Sequence, residues 1–154
     1  MTMMKDLYNW LDVNMPDSIS QIVFLLRDRN KWMFAVVMVG IGLLLMPFLL
    51  EKASEETEFL AFLSMAGVVG VGVNPLIGGR DGETAAHDSE NTLHYVCAAL
   101  SGICSQLLVA LNAPWWLSLW ALYIVWTLIE RTSSKNMLLA ELVCIVTTLC
   151  FCFV

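Results

Sequence analysis

Long apolar runs occupy most of this chain and restrict the folds that are open to it. Five of them occur, at residues 32–50, 58–78, 93–111, 115–129 and 137–154. The hydrocarbon core of a bilayer is about 30 Å thick, so a spanning helix needs about 20 mostly apolar residues. Hydrophobic residues make up 58% of the chain and charged residues 14%, which is outside the usual range for soluble domains. The sequence therefore predicts an all-α, polytopic integral membrane helical bundle with five transmembrane helices.

The number of spans has one alternative. The run at 115–129 is short, and the run at 137–154 stops where the sequence stops. A four-helix version leaves one run in the membrane interface, and 137–154 is the first candidate for it. In either version the length suits a single domain, with residues 32–154 forming the transmembrane part.

The positive charges predict the orientation. Only eight Lys and Arg residues occur in the chain, and cytosolic loops of membrane proteins carry an excess of them. If the N-terminus is cytosolic, Lys52 is the only one of these positive residues that lies outside the cytosol. The positive residues then inside are Lys5, Arg27, Arg29, Lys31, Arg80, Arg131 and Lys135. Residues 1–31 show no apolar core of a cleaved signal peptide. We therefore predict a multi-pass protein of the inner, cytoplasmic cell membrane, with its C-terminus outside.

Residues 1–31 are predicted to form two short amphipathic helices at the cytosolic interface. Pro16 restricts the residue before it and separates the two. Leu7, Trp10 and Leu11 share one face of the first helix. Such segments commonly lie in the membrane surface. The alternative is that this segment packs against the cytosolic ends of its own spans.

Small residues predict which helices pack closely. The second run carries Ser64, Gly67 and Gly70, and the third carries Ala98 and Gly102. Small side chains let helix backbones approach one another, and helix association in lipid depends on that packing. We expect these two helices in the interior of the bundle or at a subunit interface.

A few polar residues lie within the apolar runs. Four of them, Ser101, Ser105, Gln106 and Glu141, are predicted to hydrogen-bond between helices or subunits, or to line a pore. Glu141 lies about one turn inside the last run, and an ionisable residue there is a functional hypothesis by default. The alternative for Glu141 is a carboxylate that reaches back to the interface.

Both histidines lie in one short polar stretch. If the protein is an enzyme of the inner leaflet, the catalytic candidates are His87, Asp88, Glu90, His94 and Glu141. On one helix, seven residues separate the histidines by about 10 Å, which is too far for one zinc ion. A shared ion needs His87 in a loop that folds back, so we predict no metal and no cofactor. The five cysteines show no CxxC spacing and are interpreted as small packing residues.

These features favour a small homo-oligomeric membrane protein, either pore-forming, as an ion channel, or a membrane effector. The alternative is an accessory or scaffold subunit of a larger membrane complex. A membrane-embedded hydrolase using His87 and His94 ranks last. The expected partners are the lipid bilayer and either a second copy or another membrane protein. The net charge of −6 argues against nucleic acid, which normally needs a clustered basic face.

Overall fold

The described part of the protein is helical throughout. A computed structural model describes Ile19 and residues 31–77, 84–129 and 136–154, with side chains at 19, 32–74, 92–128 and 136–154. No strand occurs among these residues, which confirms the predicted all-α fold for them. The elements are α1 (Lys31–Lys52), α2 (Glu58–Ile77), α3 (Thr84–Asn112), a 3-10 helix (Pro114–Ser118), α4 (Leu119–Ile129) and α5 (Asn136–Phe153). Apart from Ile19 and Lys31, the predicted N-terminal segment 1–31 lies outside the described residues.

Three of the helices are long and apolar enough to cross a membrane. These segments are Trp32–Lys52, Thr92–Asn112 and Asn136–Phe153, while α2 contributes a shorter apolar stretch, Glu58–Asn74. The 22 residues of α1 extend about 33 Å at a rise of 1.5 Å per residue. By length and composition, the described residues thus contain three membrane-length helices rather than the five predicted from the apolar runs.

The apolar run at 115–129 differs most from the expectation of one continuous span. Ala113 has φ −151° and ψ 66°, and Pro114 then begins a 3-10 helix that ends at Ser118. Proline lacks an N–H and suits the first turn of a helix, where that group has no partner. The 11 residues of α4 extend only about 16 Å, half the hydrocarbon thickness. Within the predicted run, residues 115–118 are therefore 3-10 and only 119–129 are α-helical, a difference that hydropathy does not show.

Helix α3 begins earlier than the sequence suggested. The polar residues between the second and third apolar runs belonged to no predicted span, yet the helix already starts at Thr84. Ala85, Ala86 and Glu90 favour helix formation, so the backbone continues past the apolar stretch. Pro47 lies inside α1, which continues to Lys52. Residues 78–83 lie outside the described residues.

Successive helices run in alternating directions between two ends of the bundle. At one end, which we call the Ser54 end, the backbone N–H of Ser54 donates to Oδ1 of Asn112 at 3.1 Å. The rings of Phe48 and Phe153 also meet there, with centroids 5.3 Å apart. Helices α1 and α5 begin at the opposite end, which we call the Lys31 end. The C-terminus of α5 thus lies beside the link between α1 and α2.

Helix α2 packs closely between α1 and α3. A Cβ atom on Gly67 would lie 2.6 Å from the carbonyl oxygen of Cys97 and 2.7 Å from the backbone nitrogen of Ser101. On the other side of α2, a Cβ on Gly72 would overlap the side chain of Met38 in α1. The absence of these Cβ atoms lets the backbones approach as helix association in lipid requires.

The interior is small and the outer surface is apolar. Leu49, Leu108 and Val109 are fully buried near the Ser54 end. Large apolar side chains are nevertheless exposed on every long helix, including Leu44 with 70% of its surface exposed and Ile103 with 60%. Soluble monomers rarely expose contiguous apolar patches of this kind. The apolar helices are therefore compatible with a membrane location.

Candidate functional site

Gln106 is the centre of a polar cluster that joins three helices. Its side-chain oxygen accepts a hydrogen bond of 2.8 Å from the indole Nε1 of Trp120 in α4. Its Nε2 donates to the carbonyl oxygen of Cys144 at 3.2 Å and to Oγ1 of Thr148 at 3.3 Å, both in α5. One amide side chain in α3 thus binds groups on α4 and α5. Asparagine and glutamine commonly hold membrane helices together in this way.

The neighbours of Gln106 complete the cluster. Oγ of Ser105 lies 3.3 Å from Nε2 of Gln106 and 3.5 Å from Sγ of Cys144. The hydroxyl of Ser105 also donates to the carbonyl oxygen of Gly102 at 3.0 Å. The hydroxyl of Thr148 donates to the carbonyl oxygen of Cys144 at 2.8 Å. Polar groups left without partners in an apolar medium are costly, and these groups bind one another.

Ser101 belongs to a different contact from Ser105 and Gln106. The hydroxyl of Ser64 in α2 donates to the carbonyl oxygen of Ser101 at 3.2 Å. The predicted packing residues Gly67 and Gly70 lie against the same part of α3, where a Cβ on Gly70 would lie 2.5 Å from Sγ of Cys97. Ser101 therefore faces α2. Ser105 and Gln106 contact α4 and α5 instead, so the three residues do not line one common surface.

The two remaining predicted packing residues also contact other helices. Ala98 packs beside Phe34 and Val71, between α1, α2 and α3. At Gly102, a Cβ atom would meet only Sγ of Cys144, at 4.0 Å. Gly102 is thus less tightly constrained than Gly67.

A second polar cluster fixes the Ser54 end. Nδ2 of Asn112 donates to Oγ1 of Thr57 at 3.0 Å and to the carbonyl oxygen of Leu108 at 2.9 Å. Oγ1 of Thr57 also accepts the backbone N–H of Ser54 at 3.1 Å. The sequence analysis did not pair these residues. The signal that could have done so is a Ser and a Thr three residues apart before a helix start, a common capping pattern.

Glu141 meets the N-terminal segment. Its Oε2 accepts a hydrogen bond of 2.6 Å from the backbone N–H of Ile19, 122 residues away in the sequence. Glu141 is partly buried on the first turns of α5. The positive residues closest before it in the sequence, Arg131 and Lys135, lie outside the described residues. The contact with Ile19 could not be read from the sequence, because nothing in the pattern links the two positions.

The histidine stretch is described only in part. The ring of His94 meets that of Tyr95 edge to face, with centroids 5.9 Å apart. His87, Asp88 and Glu90 lie on α3, but their side chains are outside the described set. Because α3 already includes residue 87, the backbone does not fold back there as a shared metal ion would need. Among the described side chains, no group of three or more His, Cys, Asp or Glu could hold a metal ion.

The cysteines are all free thiols. Cys104 and Cys152 are buried, and Cys97, Cys144 and Cys150 are partly buried. Cys144 takes part in the polar cluster, since Nε2 of Gln106 lies 3.2 Å from its sulfur.

Comparison of the chain with protein-family models, with curated protein sequences and with solved structures gives no match.

Proposed function

We propose that the protein is an integral membrane helical bundle that works as a homo-oligomer and does not itself conduct ions. One observation carries this proposal. Gln106 in α3 binds Trp120 of α4 and Cys144 and Thr148 of α5 inside the chain, while the described helices expose large apolar side chains. Such a surface suits lipid or the helices of another subunit. The proposed membrane is the cytoplasmic membrane, with five crossings and a cytosolic N-terminus.

Helix α4 supports assembly with further copies. It lies at the edge of the bundle, where its main contacts are with α5 and the 3-10 helix. Leu122 and Leu128 of α4 are 68% and 65% exposed. A span shorter than the hydrocarbon core is accommodated by thinning of the bilayer or by oligomerisation. The 11 residues of α4 are short in this sense, so we propose α4 as the contact between copies.

The hydrogen bonds of the polar cluster favour a non-conducting assembly over a pore. A selective pore is lined by polar or charged groups that replace the water around an ion. Gln106 binds groups on α4 and α5, the hydroxyl of Ser105 donates to Gly102 of its own helix, and Ser101 faces α2. The accessory-subunit alternative uses the same apolar surface and differs only in its partner, which is another membrane protein. None of the described side chains adds support to the hydrolase alternative.

The test is the native mass of the purified protein in mild detergent and in nanodiscs, followed by ion flux in liposomes. We expect a discrete multiple of 17.2 kDa and no flux above that of empty liposomes. A monomer at every concentration would contradict the homo-oligomer and point to the accessory subunit. Ion flux that scales with the amount of protein would contradict the non-conducting form.

A matched pair of variants tests the contact. Leu122→Ala with Leu128→Ala shortens two exposed side chains of α4 and should shift the mass towards the monomer. Leu43→Ala with Leu44→Ala shortens two side chains of α1 that are similarly exposed, at 61% and 70%. The α1 pair should leave the mass unchanged. Equal effects of the two pairs would mean that α4 is not the interface.

A further inference from the structure

Helix α4 is held less tightly than the other helices of the described bundle. None of its described side chains, at residues 119–128, is buried, whereas α1, α2, α3 and α5 each contain buried residues. The α4 backbone packs on α5 and the 3-10 helix, and much less on α3. A segment with few buried apolar contacts opens at a low cost in free energy. Among the described helices, α4 is therefore the one that can leave its neighbours most easily.

The connection between α3 and α4 has the properties of a hinge. Helix α3 ends at Asn112, and Ala113 has φ −151° and ψ 66°, outside the helical region. The backbone N–H of Trp116 donates to the carbonyl oxygen of Ala113 at 3.2 Å, at the upper end of the usual range. Pro114 has no N–H to donate. Hinges are short segments at the ends of elements that absorb changes in φ and ψ, so rotation here moves α4 and leaves α3 in place.

One side-chain hydrogen bond joins α4 to α3. The indole Nε1 of Trp120 donates to Oε1 of Gln106 at 2.8 Å. Thr127 donates only to Ile124 of its own helix, and no other hydrogen bond leads from the described side chains of α4 to another helix. A hydrogen bond between membrane helices shifts an equilibrium by about threefold on average and by less than about twentyfold. A closed position that depends on one such bond is reversible.

The polar cluster around Gln106 lies beneath α4. Nε2 of Gln106 lies 3.3 Å from Oγ of Ser105 and 3.2 Å from Sγ of Cys144. Ser105 is buried, while Gln106 and Cys144 are half-buried. Beside them, a Cβ atom on Gly102 would meet only the sulfur of Cys144, at 4.0 Å, so this part of α3 is not closely packed. Movement of α4 away from α3 therefore exposes Gln106 and Cys144.

We propose that α4 is a lateral lid over this cluster, hinged at residues 113–118 and latched by the bond between Trp120 and Gln106. In the closed form, which is the form described above, the indole N–H occupies Oε1 of Gln106. In the open form α4 lies farther from α3 in the plane of the bilayer, and Oε1 accepts another donor. The lid rests on the proposed function only in taking the bilayer as the surrounding medium. The proposed contact between copies uses the outward residues Leu122 and Leu128 instead.

The test measures how fast N-ethylmaleimide, which crosses membranes, alkylates each cysteine of the full-length protein in nanodiscs. Peptide mass spectrometry reports each thiol separately. Trp120→Phe removes the indole N–H and keeps an aromatic ring, so alkylation of Cys144 should become about three- to tenfold faster. Alkylation of Cys97, half-buried between α2 and α3, should stay within about twofold. Trp126→Phe makes the same change at a tryptophan of α4 that is 38% exposed, and Cys144 should react as in the unmodified protein.

A thiol introduced by Thr127→Cys separates movement of the whole helix from a local leak. Position 127 is half-buried and lies seven residues after Trp120, about 10 Å along α4. If α4 moves as one body, adding Trp120→Phe should accelerate alkylation of the introduced thiol as much as that of Cys144. A cavity opened beside Gln106 alone would accelerate only Cys144.

Two results would overturn the lid. One is equal alkylation of Cys144 in the unmodified protein and in Trp120→Phe, and the other is acceleration at Cys144 without acceleration at position 127. If Trp120→Phe does not fold, Gln106→Leu with Thr127→Cys decides, because it removes the acceptor of the same bond and is read at a distant thiol. The native mass of the same samples tests the oligomer separately, so the lid and the oligomer can fail independently.

Discussion

At the scale of single residues, Gln106 carries more contacts than any other polar side chain that the structure describes within the apolar helices. It binds Trp120 on one side and Cys144 and Thr148 on the other. Hydrogen bonds between membrane helices average about 0.6 kcal/mol and reach about 1.7 kcal/mol. Gln106→Leu removes several and leaves the indole N–H of Trp120 without its acceptor. We expect a loss of about 1–2 kcal/mol in the free energy of unfolding, measured by denaturant titration in micelles.

A double-mutant cycle separates this bond from simple loss of side-chain volume. Trp120→Phe removes the indole donor and keeps an aromatic ring. If the 2.8 Å bond to Gln106 matters, Gln106→Leu with Trp120→Phe should cost less than the two single effects added together. Strict additivity would show that the two side chains act independently. Thr127→Val replaces Trp120→Phe in the control cycle, because Thr127 is half-buried and donates only to Ile124 of its own helix. Its effect should add to that of Gln106→Leu.

Residue chemistry was predictable at this scale, but pairing was not. The sequence identified Ser105 and Gln106 as polar groups that need partners in lipid. It could not choose Trp120 and Thr148 among the available donors and acceptors, because partner choice depends on helix rotation and tilt. For the same reason the sequence could not predict the contact between Glu141 and Ile19, which are 122 positions apart.

At the scale of secondary-structure elements, two glycines give a matched comparison. A Cβ atom on Gly67 would meet backbone atoms of α3 at 2.6 and 2.7 Å, whereas one on Gly40 would meet nothing within 4 Å. Overpacking a close contact costs about 1–3 kcal/mol. Gly67→Ala should therefore lower the free energy of unfolding by about 2 kcal/mol. Gly40→Ala should be neutral or slightly stabilising, because alanine is the better helix former.

The measurement is again denaturant titration in micelles, with both variants prepared in parallel. Gly67→Ala at full stability would mean that α2 can move away from α3 without loss, which the tight contact argues against. A loss in Gly40→Ala as large as that in Gly67→Ala would show that α1 has a packing partner at Gly40.

Hydropathy located the helices but not all of their bounds. The apolar runs predicted α1, α2 and α5 within a few residues, because those helices coincide with apolar sequence. The runs did not distinguish the 3-10 helix Pro114–Ser118 from the α-helix after it, and they missed the start of α3 at Thr84. Both misses have one physical origin. Backbone hydrogen bonding and proline geometry set the limits of a helix, whereas the bilayer sets only how much of it is apolar.

At the scale of the whole molecule, the two ends of the bundle predict the topology. Phe153 meets Phe48 at the Ser54 end, and Glu141 of the same helix meets Ile19 at the other. Ile19 and the C-terminus thus lie at opposite ends. In a membrane, they should face opposite sides, with the positively charged N-terminal segment in the cytosol. The four-span alternative, with 137–154 in the interface, places both termini on one side.

Epitope tags at the two termini separate these topologies in sealed vesicles of known orientation. With the cytosolic face outward, added protease should remove the N-terminal tag and leave the C-terminal tag intact. Vesicles of the reverse orientation should give the reverse result, and permeabilised vesicles should lose both tags. Loss of both tags from sealed vesicles with the cytosolic face outward would contradict the crossing of α5. The contact between Phe48 and Phe153 makes that outcome unexpected, since it holds the end of α5 beside the link from α1 to α2.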